Sequence, residues 1–226
     1  MLTLTTCPEA VIFDMDGLLV DSEPVWEMAE IRLLDKRGKT LIEEVRIPLV
    51  GLRMNDFWRE MRAALQLPDT EEALIEEVVS DFLETIPGNV PQRPGADALI
   101  RYLAARSIPI AIASSSPLAV INGVVVEHGW DAFFPVRVTG DEVTAGKPAP
   151  DIYLEAARRL GVNPDHCIAL EDSKNGARAG AAAGMTTIAV PDLSHGTPEG
   201  FANITPHVVE SLHEVQAALE ALECFA

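Results

Sequence analysis

A chain of 226 residues is long enough to bury a substantial core, either as one large domain or as a core that carries a smaller insert. With 48% hydrophobic and 23% charged residues it has the composition expected of a soluble globular protein, and 35 Asp and Glu against 17 Lys and Arg give a formal charge of -18. A field of that sign repels nucleic acid and anionic membranes; the first apolar run, over 10–13, is too short to span a bilayer and follows no basic stretch, so a cytoplasmic protein is expected.

The run over 10–13 reads as a buried strand. The stretch that follows, 22–93, shows no convincing strand and three helical patterns, over 24–37, 55–65 and 70–86, the first opened by Asp21 or Ser22 as cap with Pro24 in its first turn. Pro87-Gly88, Pro91 and Pro94-Gly95 then break helices and stiffen the return. From there short apolar runs at 108–113, 136–139, 167–170 and 186–190 alternate with helices. Leu99, Ile100, Leu103 and Ala104 form one apolar stripe, and Ile152, Tyr153, Ala156, Ala157 and Leu160 form another. This alternation implies an α/β fold, a doubly wound parallel sheet covered on both faces, with the core over 1–21 and 94–226 and a helical insert over 22–93. An insert placed after the first strand is a lid candidate.

Cys7, Cys167 and Cys224 are odd in number, far apart and without a CxxC pair, so neither a disulfide framework nor a zinc site is expected. Cys167 reads as a small apolar residue in a strand. His128, His166, His195, His207 and His213 are scattered without ligand spacing, and no role is assigned to them.

The chemistry lies where the strands end. Asp14 and Asp16 follow the first, Ser114-Ser115-Ser116 the second, Lys147 lies past the third, and Glu171-Asp172 follow the fourth. Singly, each has an ordinary explanation: Asp172-Ser173 could start the helix over 174–183, the serines could form a polar turn, and a lone lysine is usually solvated. Together they should converge, because ligands of open α/β sheets bind beyond the carboxyl ends of the strands. Two carboxylates 4 Å apart repel by roughly 4 kcal/mol at an effective dielectric of 20, so such a cluster needs cations. An oxygen-only donor set selects a hard ion, and Mg²⁺ together with Lys147 meets that need while attracting an anionic substrate against the overall charge.

The stretch from Asp14 to Glu23, Asp-Met-Asp-Gly-Leu-Leu-Val-Asp-Ser-Glu, resembles the first motif of the haloacid dehalogenase superfamily. Ser114, Lys147 in Gly146-Lys147-Pro148, and Leu170-Glu171-Asp172-Ser173 with Gly176 resemble its second, third and fourth, in the same order. The resemblance implies a Rossmann-like core and an aspartyl-phosphate mechanism. Asp14 would be the nucleophile and Asp16 the general acid and then base; Ser114, the backbone near Ser115 and Lys147 would hold the phosphoryl oxygens. It also implies Mg²⁺ on Asp14, the main-chain carbonyl of Asp16 and Asp172, with Glu171 an added or water-mediated partner. Dehalogenases and phosphonatases of the superfamily lack the second acidic residue of the first motif, so Asp16 favours phosphoryl transfer. Two rival motifs fail. Gly140 to Lys147 has five residues between its glycines and Pro148 where a P-loop needs Ser or Thr; Gly176, Gly180 and Gly184 read as close helix packing, since GxGxxG is absent.

The insert resembles the small helical cap of the subgroup that contains β-phosphoglucomutase and sugar-phosphate phosphatases, and Asp21–Trp26 with Gly51-Leu52-Arg53 is closer to hexose- and hexitol-phosphate phosphatases. A mutase would be expected to carry a histidine on the first cap helix where this chain has Trp26. Trp26 and Arg53 are candidate substrate contacts. The expected function is Mg²⁺-dependent hydrolysis of a small sugar or sugar-alcohol phosphate by a monomer. The alternatives are a sugar phosphomutase and a non-catalytic binding protein on the same scaffold.

Overall fold

The computed structural model describes residues 2–191 and 197–222; His195 and Cys224 lie outside them. The first strand, β1 (Ala10–Phe13), is followed by the helices of the insert, α1 (Glu23–Asp35), α2 (Glu43–Arg46), α3 (Met54–Leu65) and α4 (Glu71–Thr85). The chain continues through α5 (Ala96–Ala105), β2 (Ile110–Ser114), α6 (Leu118–Glu127), β3 (Val136–Thr139), α7 (Asp151–Leu160), β4 (Cys167–Glu171), α8 (Lys174–Ala182), β5 (Thr186–Ala189), β6 (His207–Val208) and α9 (Leu212–Glu220). The six strands form one parallel sheet in the order β3-β2-β1-β4-β5-β6. The order reverses beside β1, between it and β4, which is where an open parallel sheet parts its loops and receives a ligand.

Every residue of β1, β2 and β4 is buried, as strands covered by helices on both faces must be. Their two faces differ in bulk. Val11, Phe13, Ile110, Ile112, Ile168 and Leu170 pack with α5, α6 and α9, whereas Ala10, Ala111, Ala113 and Ala169 meet α7 and α8. Small side chains on the second face let α8 approach closely: a Cβ at Gly180 would come within 2.8 Å of Ala169 and Thr187, which bears out the packing reading of that glycine.

The expected strands and helices are found, with ends that move by at most two residues. β2 starts at Ile110, after Pro109, and runs on to Ser114, so that serine is held by the sheet. Two elements carry no clear period in the sequence. In α6 the run Leu-Ala-Val-Ile-Asn-Gly-Val-Val-Val-Glu is apolar on several sides because it packs on the sheet and also under α4, where Ile86 and Leu83 would collide with a Cβ at Gly123. The edge strand β6 has two residues.

One expectation is corrected. Cys7 is disulfide-bonded, although its sequence context shows no framework; spacing along a chain does not report which thiols a fold brings together. Cys167 is a free, buried thiol, and burial pushes its pKa up to about 11.

Candidate active site

β1 delivers Asp14 to the carboxyl edge, where its backbone N–H still donates to Leu170 of β4 at 3.0 Å. The chain then turns sharply, with Gly17 at φ +77 donating to the Val20 carbonyl at 2.8 Å. A Cβ at Gly17 would strike the Asp172 carboxylate, so the first and fourth strand ends press together at a position that only glycine fills without strain.

Oxygens of Asp14, Glu171 and Asp172 lie within 4.8 Å of one another. Lys147 stands among them, its Nζ donating to Asp14 at 2.7 Å and to Glu171 at 2.6 Å. Three carboxylates and one ammonium leave a formal charge of about -2 in a buried place. Burial pushes Asp14 up to about 7; Lys147 opposes that shift, while Glu171 and Asp16 add to it. Burial also raises Asp172 well above the carboxylate range, reinforced by Asp14 and Glu171. For Lys147, burial alone would depress the pKa, but the two carboxylates outweigh it and hold the amine above its ordinary value. The cluster therefore suits a divalent cation: its donors are all oxygen, and their charge is in excess.

The two acidic residues of β4 are used differently. Glu171 is fully buried and heavily engaged, accepting from Lys147 and from the Tyr153 hydroxyl (2.8 Å) on one oxygen and from Ser173 on the other. Asp172 has no hydrogen bond of that kind among the described residues. Ser173, not Asp172, caps α8, its hydroxyl accepting from the Gly176 N–H at 3.1 Å. The capping explanation thus holds for the serine and leaves the Asp172 carboxylate to the cluster.

Asp16 is held by four donors. Ser22 Oγ (2.6 Å) and Trp26 Nε1 (3.2 Å) donate to one carboxylate oxygen, Ser114 Oγ (3.2 Å) and Ser116 Oγ (2.7 Å) to the other. Ser22 occupies the N-cap position of α1 without capping it, because its hydroxyl is turned to Asp16. Sequence reasoning missed Ser116 and this use of Ser22. The signal for Ser116 was the third hydroxyl of the serine run, in the bend that immediately follows β2.

A cleft lies over these groups, lined on the core side by Asp14, Asp16, Ser114, Ser115, Lys147 and Asp172. The helical segment forms the opposite wall with Glu23, Trp26, Glu30, Arg46, Leu52 and Phe57. Trp26 is 5% exposed, stacks on Phe82 with ring centroids 3.9 Å apart and turns its N–H to Asp16. Arg53 is placed elsewhere. Its side chain pairs with Asp56 and runs along Gly140 and Gly146, reaching the Thr144 carbonyl at 3.4 Å, so it bridges the helical segment to the loop that carries Lys147 and is not among the cleft-lining residues. Ser115 makes a second bridge, its hydroxyl donating to the Gly51 carbonyl at 3.0 Å.

Gly176 lies against the catalytic edge of α8. A Cβ there would run into the Glu171 carboxylate, which Lys147, Tyr153 and Ser173 already fix. Gly176→Ala is expected to destabilise the protein by about 1–3 kcal/mol, the usual cost of overpacking, measured as a lowered urea midpoint with unchanged slope. An unchanged midpoint would show that Glu171 can move aside.

The family model described as haloacid dehalogenase-like hydrolase matches residues 8–184. Hexitol phosphatase B of Escherichia coli is 34% identical over 186 residues, covering 80% of this chain and 83% of that protein. The phosphorylated carbohydrates phosphatase of Thermotoga maritima is 31% identical over 213 residues, 94% of this chain and 91% of that one. Among solved structures, CbbY from Rhodobacter sphaeroides in complex with phosphate superposes with a TM-score of 0.84 at 28% identity, covering 94% of this chain and 99% of that one. The family match over residues 8–184, which takes in every strand end of the site, together with the acidic, serine and lysine side chains found there, means that the chain belongs to the haloacid dehalogenase-like hydrolase family and is one of its phosphoric monoester hydrolases.

Proposed function

We propose that the protein hydrolyses a small sugar or sugar-alcohol phosphate through an aspartyl-phosphate on Asp14. The observation that carries this reading is the convergence of Asp14, Asp16, Ser114, Lys147 and Asp172 on one cleft closed by the helical segment. An Asp14 oxygen attacks phosphorus while Asp16 protonates the departing sugar oxygen; Asp16 then takes a proton from the water that attacks the intermediate, freeing phosphate and Asp14. The Ser114 hydroxyl, the Ser115 backbone and Lys147 hold the phosphoryl oxygens. Residues 22–93 act as a cap on a core of 1–21 and 94–226, and their closure keeps bulk water from the intermediate. Relatives named for hexitols and phosphorylated carbohydrates support the substrate class. The enzyme is taken to act as a cytoplasmic monomer; no described helix is long and apolar enough to cross a membrane.

Mg²⁺ would be held by Asp14 and Asp172 with the Asp16 main-chain carbonyl, and Glu171, already engaged by Lys147 and Tyr153, would assist from outside. When bound, it neutralises phosphoryl charge and fixes the line of attack. The mutase alternative is weaker for this chain. A mutase histidine can both donate and accept a proton, whereas the Trp26 indole only donates, and it does so to Asp16.

EDTA is expected to abolish phosphate release from a hexitol phosphate and Mg²⁺ to restore it. Independently of turnover, Mg²⁺ should raise the melting temperature of EDTA-treated protein, and less metal should be needed at pH 8 than at pH 6. The sign follows from Asp14: its pKa is raised to about 7, so at pH 6 a proton occupies the oxygen that the metal needs. Melting temperatures indifferent to Mg²⁺ at both pH values would remove the metal from the proposal.

A further inference from the structure

Three charged side chains on the helical wall of the cleft have no part in the reaction proposed above. Glu23 opens α1, Glu30 lies two turns further along the same face, and Arg46 ends α2. Arg46 is 2% exposed and donates through Nε to Glu30 and through Nη2 to Glu23 at 3.1 Å; Glu30 is 4% exposed. All three line the cleft around Trp26, facing the aspartates.

Such a cluster is not what holds α1 to α2 most cheaply. Desolvating three ions offsets much of their mutual attraction, and apolar side chains of the same bulk commonly serve packing as well or better. Burial pushes Glu30 up to about 7 even with Arg46 beside it, so the desolvation has not been fully recovered. A costly charged group beside a reacting site points to use.

We propose that Glu23, Glu30 and Arg46 form the specificity wall for the leaving group, one that accepts an uncharged, hydroxyl-rich group and refuses a second phosphate or a carboxylate. This rests on the phosphatase reading of the same cleft. Arg46 is already matched by two carboxylates, so these three side chains sum to a formal charge of about -1 and the guanidinium is not spare for a second anion. Its carboxylate oxygens accept hydrogen bonds from sugar hydroxyls, its guanidinium donates to them, and Leu52 and Phe57 supply apolar contact. A second anionic group placed there would face Glu23, Glu30, Asp16 and Asp172 in a poorly solvated space. The transferring phosphate escapes this penalty because it faces Lys147 on the other side, where Mg²⁺ would also be held.

The test is a comparison of kcat/KM for the Mg²⁺-loaded enzyme on a hexitol 6-phosphate, a hexose 6-phosphate, xylulose 1,5-bisphosphate and 3-phosphoglycerate, with p-nitrophenyl phosphate reporting the reaction machinery. The neutral-polyol monophosphates should exceed the bisphosphate and the phosphorylated acid by at least about 100-fold. Glu30→Gln and Glu23→Gln should each raise the bisphosphate-to-monophosphate ratio by about tenfold, since each removes one repelling charge. Glu23, whose side chain is 17% exposed, decides the matter if Glu30→Gln fails to fold by circular dichroism. An outer groove shares Glu23 and Asp172 with the cleft and carries exposed Lys174 and Arg178. Equal or better turnover of the bisphosphate would place its second phosphate there and overturn the proposal, as would a ratio unmoved in a folded Gln variant. Absence of turnover on every substrate, aryl phosphate included, would instead remove the phosphatase reading on which the proposal stands.

Discussion

Asp14→Asn is expected to show no turnover and no covalent phosphate, whereas Asp16→Asn should lose roughly 10² to 10⁴ in rate and accumulate phosphate on Asp14. The two substitutions are nearly isosteric, so they separate chemistry from shape. An amide at position 14 has no anionic oxygen to attack phosphorus, and both steps fail at once. An amide at position 16 leaves the nucleophile in place. Its carbonyl can still accept from Ser22 and from the Trp26 indole, which only donates, while its NH₂ turns to Ser114 and Ser116, whose hydroxyls can rotate to accept. The side chain stays where it was but can no longer give or take a proton. With p-nitrophenyl phosphate the leaving group needs little protonation, so Asp14 is still phosphorylated; hydrolysis of the intermediate then stalls for want of a base. Intact-protein mass spectrometry after rapid acid quench should find the added phosphate in Asp16→Asn alone. A phosphorylated Asp14→Asn would remove the nucleophile assignment and the mechanism with it.

What the sequence made legible followed from where charge stood relative to apolar runs. Asp14, Lys147 and Asp172 could be named because each follows a strand, and the topology of parallel sheets brings such ends to one crevice whatever the exact register. The faces of those strands were less readable. An all-apolar segment says that both sides are covered, but not that Ala10, Ala111, Ala113 and Ala169 would gather around Ile12 under α7 and α8 while most of the large side chains turned to the other face. Local rules also misread side chains with a distant use. Ser22 has the position of a cap and the role of a donor to Asp16, a bond across a turn whose closure depends on Gly17. Glu23, Glu30 and Arg46 were invisible for a related reason: on the sequence they look like the solvated face of a helix and a short charged turn, and only the fold buries Glu30 and Arg46 and brings Glu23 to the same guanidinium. Arg53 drew notice because Gly51-Leu52-Arg53 resembles a stretch of the hexose- and hexitol-phosphate phosphatases, yet its partners are Asp56 and the loop that bears Lys147, contacts set by the docking of the helical segment on the core.

Lys147→Met is expected to cost the fold about 3–5 kcal/mol as well as the reaction, the usual penalty for removing one partner of a buried ion pair. Methionine fills much of the space of the lysine stem but leaves Asp14 and Glu171 without the ammonium that both now share. The loss should depend on pH in a direction fixed by Asp14. Its pKa is already raised to about 7 with Lys147 present, and removing that cation raises it further. Below the folded-state value the carboxyl takes up a proton and the repulsion is relieved; as pH rises through it, the charged form must be carried in the buried cluster. The stability deficit against wild type should therefore be larger at pH 8 than at pH 6, as read from urea midpoints at matched slopes. Mg²⁺ should recover part of it, because a divalent ion on Asp14 and Asp172 offsets the same excess charge. The double variant with Asp14→Asn supplies the decisive comparison. Removing the carboxylate along with the ammonium leaves Glu171 with Tyr153 and Ser173 as partners, so the second substitution should restore stability instead of lowering it further. Additive losses in the double variant, or a Lys147→Met midpoint equal to wild type at pH 8, would mean that Lys147 does not balance this cluster, and the charge argument for both the lysine and the metal would fail together.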